Sequence, residues 1–229
     1  MKISVIIPTF NEASNIAALI DFLRIESANY EIEIIVVDGG STDNTREIAS
    51  KKKCIIELSP NKGRANQLNL GAIIATGDIF YFVHADTFPP KNYCHLIQQS
   101  LLNGYTSGCC AYQFDSPKRI LKFNSFFTKY KGFYTGGGDQ TLYVTKNIFT
   151  KTGGFNADYV VMEDFEFTKR LRKISLFKII PEKALVSARK YNKNSYVRVN
   201  FANLLALMMF WFHIKPTRIK TTYQSLIRQ

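Results

Sequence analysis

Ile79-Phe80-Tyr81-Phe82-Val83 is a run of five bulky apolar residues that stops at a polar cluster containing His84 and Asp86. A run this short, rich in aromatic and branched side chains and without polar alternation, fits a strand buried on both faces of a parallel sheet. Such a strand needs helices above and below it, which is the strongest constraint on what the chain can become. In open α/β sheets ligands bind beyond the carboxyl ends of the strands, so the residues directly after the run are the first candidates for chemistry. In an extended segment His84 and Asp86, two apart, point the same way, which suits a divalent cation held beside a phosphate. A second reading stays open: Asp86 caps the next helix, with Thr87 and Pro89-Pro90 as its entry.

Upstream of this run, strand and helix patterns alternate. Lys2 to Ile7 reads as a first strand, left through Pro8-Thr9-Phe10-Asn11-Glu12, and Ile16, Leu19, Ile20 and Leu23 have the spacing of one buried helix face. Glu33 to Val37 reads as a second strand ending at Asp38-Gly39-Gly40-Ser41-Thr42-Asp43. There the glycines permit a tight turn, and Ser41, Thr42 or Asp43 can cap a helix from about Thr45. Cys54 to Leu58 is a short third strand, and Asn61-Lys62-Gly63-Arg64 opens a helix to about Thr76. Four strands alternating with three helices predict a doubly wound α/β sheet with right-handed crossovers. Parallel strands then place Thr9 to Glu12, Asp38 and His84 to Asp86 along one edge, with Arg64 facing it. A cation, a carboxylate able to pair with a base or ribose and a metal-binding aspartate describe a nucleoside diphosphate site. Taken singly, Asp38 also fits a turn residue and Arg64 a solvated charge.

Beyond Pro90 the pattern loosens. Helices are expected over Lys91 to Leu102 and Lys118 to Tyr130, and strands over Thr106 to Phe114 and Thr141 to Val144. Between them, Thr135-Gly136-Gly137-Gly138-Asp139-Gln140 lets backbone approach a ligand closely. It lacks the GxGxxG spacing, which disfavours a dinucleotide-dependent oxidoreductase. After a turn at Gly153-Gly154-Phe155, Met162-Glu163-Asp164-Phe165-Glu166 begins a helix to about Lys173, where acids also serve the helix dipole. Leu176 to Ile180 and Ala184 to Ala188 read as two closing strands. Arg189-Lys190-Tyr191 leads into a tail that is helical from Ser195 to Phe212 and then basic. The expected organisation is one domain over residues 1–194, with a nucleotide half to about residue 90, and a helical tail over 195–229.

The net charge of +12 is uneven, with 9 Lys/Arg against 12 Asp/Glu before residue 118 and 21 against 6 from there on. That asymmetry points to an anionic partner: a membrane surface, a nucleic acid or a phosphorylated substrate. Four cysteines, Cys54, Cys94, Cys109 and Cys110, match neither a zinc pattern nor a disulfide framework, so a reduced, cytoplasmic setting is expected. The chain enters its first strand without a signal-peptide layout. Leu204 to Phe212 is apolar but far below the roughly 20 residues that span a bilayer. It fits an interfacial helix on the inner face of the membrane, a helix packed on the domain, or a homodimer contact.

Five features occur in order: Val5-Ile6-Ile7-Pro8-Thr9-Phe10-Asn11-Glu12, Val36-Val37-Asp38-Gly39-Gly40-Ser41-Thr42-Asp43, Asn61-Lys62-Gly63-Arg64, His84-Ala85-Asp86 and Glu163-Asp164. In this the chain resembles the family 2 glycosyltransferases of the GT-A fold over roughly residues 2–190. His84-Ala85-Asp86-Thr87, Gly138-Asp139-Gln140 and Ser187-Ala188-Arg189-Lys190-Tyr191 are more narrowly similar to a bacterial subgroup with His-Ala-Asp-Thr in place of Asp-x-Asp. The resemblance implies transfer of a sugar, with inversion, from a nucleoside-diphosphate sugar such as a UDP-sugar. The acceptor would be a glycan or a lipid-linked sugar of a cell-envelope polysaccharide, and no nucleic acid is involved. It implies a nucleotide pocket of Pro8, Thr9, Glu12, Asp38, Lys62, Arg64 and Asp86, with Asp38 on the base. Asp86 would hold Mn²⁺ or Mg²⁺, and Asp164, beside Glu163, would be the general base. Gly138, Asp139, Gln140 and Arg189 become donor- or acceptor-site candidates. His84 as a second ligand favours Mn²⁺ over Mg²⁺. A nucleotidyltransferase would carry a glycine-rich basic loop after the first strand, which Pro8 to Glu12 is not. A non-catalytic, membrane-associated nucleotide-sugar-binding protein would have no use for Asp86 and Asp164 together.

Overall fold

The computed structural model describes residues 1–227 except 131, 133, 134, 138 and 139; for residues 119, 122–124, 127, 192 and 193 only the backbone is described. Strands β1 (Lys2–Thr9), β2 (Glu31–Asp38), β3 (Ile55–Leu58) and β4 (Ile79–Phe82) are parallel neighbours in the order β3-β2-β1-β4. They are joined through α1 (Ile16–Glu26), α2 (Thr45–Lys51) and α3 (Arg64–Ile74). Burial on both faces is what organises them. Ile3, Val5, Ile7, Tyr81 and Val83 pack with Ile16, Leu19, Ile20 and Leu23 of α1 on one side. Ile6, Phe80 and Phe82 pack with Ala65, Leu68 and Ala72 of α3 on the other. A Cβ at Gly71 would lie 2.4 Å from Ile6 Cγ2, so only glycine lets α3 approach β1 this closely.

The second half extends the same sheet. β4 pairs antiparallel with β7 (Leu142–Thr145), and the order continues through β6 (Ser107–Phe114) and β8 (Phe177–Val186) to β5 (Thr87–Phe88). Around it lie α4 (Tyr93–Leu102), α5 (Arg119–Phe126), α6 (Lys146–Thr152), α7 (Glu163–Ile174), α8 (Lys190–Lys193), α9 (Tyr196–Trp211) and α10 (Pro216–Leu226). The result is a curled, mixed sheet flanked by helices.

Several elements differ from expectation. Thr87 is not a helix entry but starts β5, opposite Val186. The two closing strands are one strand, β8. Its pairing with β6 jumps from Cys110↔Ile180 to Ala111↔Lys183, leaving Pro181 and Glu182 in a bulge where proline owes the ladder no donor. Lys118 to Tyr130 divides into α5 and a 3-10 turn, Phe127–Lys129. Helix α6 has no fully buried residue and therefore no apolar period to read. Within the basic end of the tail, α10 starts with Pro216 in its first turn and buries Ile219 alone.

The tail packs on the domain. Val199, Ala202 and Ile227 join Leu121, Ala188 and Tyr191, while Ala206, Phe210 and Ile219 join Tyr159, Met162 and Phe165. Among the described residues no helix is long and apolar enough to cross a membrane. All four cysteines are free thiols.

Candidate active site

A cavity of about 860 Å³ opens at the carboxyl ends of β1 and β4. β1 runs on through Pro8 and Thr9, which line it, before the chain turns at Asn11 with φ 55°. The turn is tied to the one after β2: Asn11 N donates to Ser41 Oγ (2.8 Å) and Thr42 N to Asn11 Oδ1 (2.8 Å). Asp38 lies beneath, fully buried. Its Oδ2 accepts from Gly40 N (2.9 Å) and Ser41 N (2.8 Å), and its Oδ1 from Ser41 Oγ (2.5 Å) and Thr9 Oγ1 (3.4 Å). Gly40 at φ 94° makes this loop possible. Asp38 therefore shapes the loop and is not among the described residues of the cavity wall. Lys62 is exposed and likewise off the wall. Gln67, which sequence reasoning passed over, is on it. It is buried, and its Nε2 donates to Thr9 O and Val37 O, both at 2.8 Å. Nothing in the sequence distinguishes this glutamine from a solvated helix residue.

Beyond β4, Val83 N still pairs with Ile6 O (3.0 Å), but Thr87 N donates to His84 O (3.0 Å), so residues 84–87 form a turn. Strand alternation consequently does not aim His84 and Asp86 together. Both line the cavity with different neighbours: His84 Nε2 is 3.9 Å from Asp164 Oδ2, whereas Asp86 Oδ2 is 3.1 Å from Arg189 Nη2. Burial, with the charges of Arg64 and Lys190 added, holds the His84 pKa well below 6.5. Its imidazole is neutral at physiological pH.

The opposite wall begins with α7, whose Glu163 and Asp164 are buried at the cavity. Arg64, first residue of α3, reaches across with Nη1 2.9 Å from Glu163 Oε1 and 3.7 Å from Asp164 Oδ2. The shorter contact is an ion pair outside hydrogen-bond geometry, for Glu163 Oε1 has no aligned donor. Glu166 has separate work. It grips Arg170 through two 2.6 Å bonds, and Arg170 donates to Thr152 O (2.5 Å) and Gly154 O (2.7 Å), fastening α7 to the end of α6. The acid cluster thus divides between anchoring the helix and facing the cavity.

Arg189 Nη1 donates to Glu12 Oε2 (2.9 Å) and its Nη2 to Glu12 Oε1, in addition to the Asp86 contact. Gln140 is buried and structural in this arrangement, accepting from Gly136 N and donating to Cys110 O (3.1 Å) and Thr128 O (3.2 Å). Gly138 and Asp139 lie outside the described residues. Lys190, Asn200, Asn203 and Tyr223 complete the wall, the last donating to Asn203 Oδ1 (3.1 Å). Sequence reasoning had placed α9 and α10 apart from the site.

Among the described lining residues, the carboxylates of Glu12, Asp86, Glu163 and Asp164 face the fixed cations Arg64, Arg189 and Lys190. A diphosphate entering this excess of acid needs added positive charge, which a divalent cation provides. Among the described residues no three His, Cys, Asp or Glu side chains cluster to hold a metal alone. Asp86 and the neutral His84 imidazole, both at the cavity, are the side chains that would hold such an ion.

A parallel nucleotide edge continued by an antiparallel half defines the GT-A architecture, and solved structures share it. The chain superposes with TM-score 0.68 on the mannosyltransferase PcManGT of Pyrobaculum calidifontis, solved with GDP-Man and Mn²⁺, at 19% identity over 98% of this chain and 69% of that one. S. aureus TarS 1-349 in complex with UDP-GlcNAc gives 0.67, at 19% identity over 99% and 71%. Residues 4–163 match the family described as Glycosyl transferase family 2, and the chain belongs to it. It is 27% identical to the succinoglycan biosynthesis protein ExoA of Rhizobium meliloti, over 74% of this chain and 57% of that protein. It is 26% identical to a PGL/p-HBAD biosynthesis glycosyltransferase of Mycobacterium bovis, over 73% and 68%. The chain thus spans little more than half the length of the first of these relatives.

Proposed function

We propose that this protein is an inverting glycosyltransferase that moves a sugar from a nucleoside-diphosphate sugar, a UDP-sugar foremost, to a hydroxyl of a glycan or lipid-linked acceptor. One observation carries the reading: a single cavity joins Thr9 and Asp86 on the nucleotide edge to the Glu163–Asp164 pair on the opposite wall. The Mn²⁺ and nucleotide complexes of its structural neighbours and the polysaccharide role of ExoA agree with it.

The acceptor hydroxyl is a weak nucleophile until a carboxylate takes its proton, worth about 10² to 10⁴ in rate. Asp164 takes that proton, with the Arg64 guanidinium 3.7 Å away to stabilise its charged form. The hydroxyl oxygen so activated forms its bond to the anomeric carbon from the face opposite the diphosphate as the carbon–oxygen bond to the diphosphate breaks, which gives inversion. Charge that develops on the departing diphosphate is met by Arg189 and Lys190. Asp86 and His84 would hold Mn²⁺ or Mg²⁺, which when bound supplies Lewis-acid neutralisation of that leaving group. Calorimetric titration with UDP and GDP, with and without Mn²⁺, tests the reading on wild type and Asp86→Ala. Metal-dependent binding of one nucleotide, lost in the variant, is the expected result. No binding of either nucleotide would sink it.

The tail supports peripheral contact with an anionic membrane surface on the cytoplasmic side. Val197, Phe201, Leu204 and Met208 are exposed at helical spacing along one face of α9, with exposed Phe212 just past its end, and Leu204 also lines the cavity. Residues 118–229, with 21 Lys/Arg against 6 Asp/Glu, favour an anionic surface over a second copy of the same chain. Flotation with anionic liposomes is expected to fall when Val197, Phe201, Met208 and Phe212 are changed to Ser. Undiminished flotation would reject the lipid reading, and a dimer abolished by the same changes would assign the face to self-association.

A further inference from the structure

We infer that Arg189 is a positioning residue that competes with the divalent cation for Asp86 and, once displaced, turns to the diphosphate; this rests on the nucleotide-sugar reading above. Ser187 N donates to Asp86 O (3.1 Å), so the chain carrying Arg189 is pinned beside the turn that carries Asp86. The guanidinium then meets two carboxylates unequally. It donates to both oxygens of Glu12 and lies 3.1 Å from Oδ2 of Asp86.

A guanidinium has five donors in a rigid plane. The edge spent on Glu12 is an anchor, and the contact to Asp86 Oδ2 is the exchangeable one. A cation at Asp86 draws on the same negative charge that Arg189 neutralises, and two cations this close repel across a partly buried site. Ion binding therefore drives the guanidinium off Asp86 while Glu12 retains it. The released N–H groups stay at the cavity, where a planar fork matches phosphate oxygens. Two effects of opposite sign follow. Arg189 weakens ion binding by the protein alone and strengthens binding of the diphosphate. An arginine with a purely structural role would shift both the same way or neither.

The test uses the full chain and two titrations. Mn²⁺ without nucleotide is followed by the electron paramagnetic resonance of the free ion, and UDP or GDP is titrated calorimetrically at saturating Mn²⁺. Arg189→Met is expected to bind Mn²⁺ about threefold to tenfold more tightly than wild type and the nucleotide about tenfold more weakly. Glu12→Gln supplies the converse in a chain that keeps Arg189. With its anchor weakened, Arg189 bears on Asp86 alone, and Mn²⁺ affinity should fall about twofold to fivefold. Arg189→Lys should recover part of the nucleotide affinity by charge. Mn²⁺ binding that is unchanged or weaker in Arg189→Met, or absent from both proteins, overturns the inference, as does tighter binding in Glu12→Gln. If wild type binds Mn²⁺ but neither nucleotide, the proposed function fails while the ion titrations still judge the competition.

Discussion

On the nucleotide side of the cavity, position is set by backbone. Thr9 ends a strand, the Asn11 and Asp38 turns are laced to each other by main-chain donors, and His84 lies in a turn closed by a main-chain bond. On the opposite side, position is set by side chains reaching between elements: Arg64 to Glu163, Arg170 to the end of α6, Arg189 to Glu12. Buried backbone geometry is inseparable from folding, whereas half-exposed ion pairs contribute little to it. Damage to the buried turn side chains of the first wall should therefore register as lost stability, and damage to side chains that only face the cavity, on either wall, as lost chemistry or binding.

The largest expected effect is on the second wall. Asp164→Asn keeps the shape but cannot accept the proton, so kcat should fall about 10² to 10⁴-fold. Nucleotide affinity should stay within about threefold and unfolding free energy within about 1 kcal/mol, since its cationic neighbour Arg64 is half exposed. Steady-state kinetics beside urea denaturation check both. A variant that loses stability and nucleotide binding as much as rate would erase the contrast between the walls.

Next in size is Asp38→Ala on the first wall. It leaves Gly40 N and the buried Ser41 N without their acceptor, at a cost of about 1–3 kcal/mol in urea unfolding. Asp86→Ala, one turn away on the same edge, should lose metal-dependent nucleotide affinity with little change in stability. An Asp38→Ala chain of wild-type stability that fails only to bind nucleotide would return Asp38 to the role the family resemblance implies for it.

The same division explains what could be read from sequence. The central residues of β1, β2 and β4 are apolar on both faces, so their runs announced the sheet, and parallel order brought Thr9, Asp86 and Arg64 to one cavity. The Glu163–Asp164 pair was visible only as a motif, because acids in a first helical turn are common; it took Glu166 bonding to Arg170 to separate anchor from site. Neither Gln67 nor the α9 and α10 wall carried a local signal. Their placement depends on contacts distant in the chain, such as Tyr159 and Phe165 with Phe210. The extended reading of His84 and Asp86 failed because strand geometry was carried past the last ladder bond.

The smallest predicted effect sharpens the contrast through pH. Far from the site, burial pushes the Glu33 carboxyl up, but hydrogen bonds from Ser4 Oγ, Thr76 and Lys2 outweigh it and bring its pKa from 4.5 to about 2. Its folded pKa is depressed, so the stability it contributes is present above pH 4.5 and is lost as pH falls toward 2. His84 acts in a different window. Its pKa is depressed by burial and by Arg64 and Lys190, so below pH 6.5 the unfolded chain binds a proton that the folded chain refuses. Stability therefore declines as pH drops from 6.5, by at most about 1.4 kcal/mol per pH unit for one proton. Unfolding midpoints followed from pH 7 to 5 should slope in wild type and flatten in His84→Gln, while Glu33→Gln should leave that window alone and flatten the curve below pH 4.5. A slope that survives His84→Gln would assign the titration to another group and leave the first wall without a pH signature of its own.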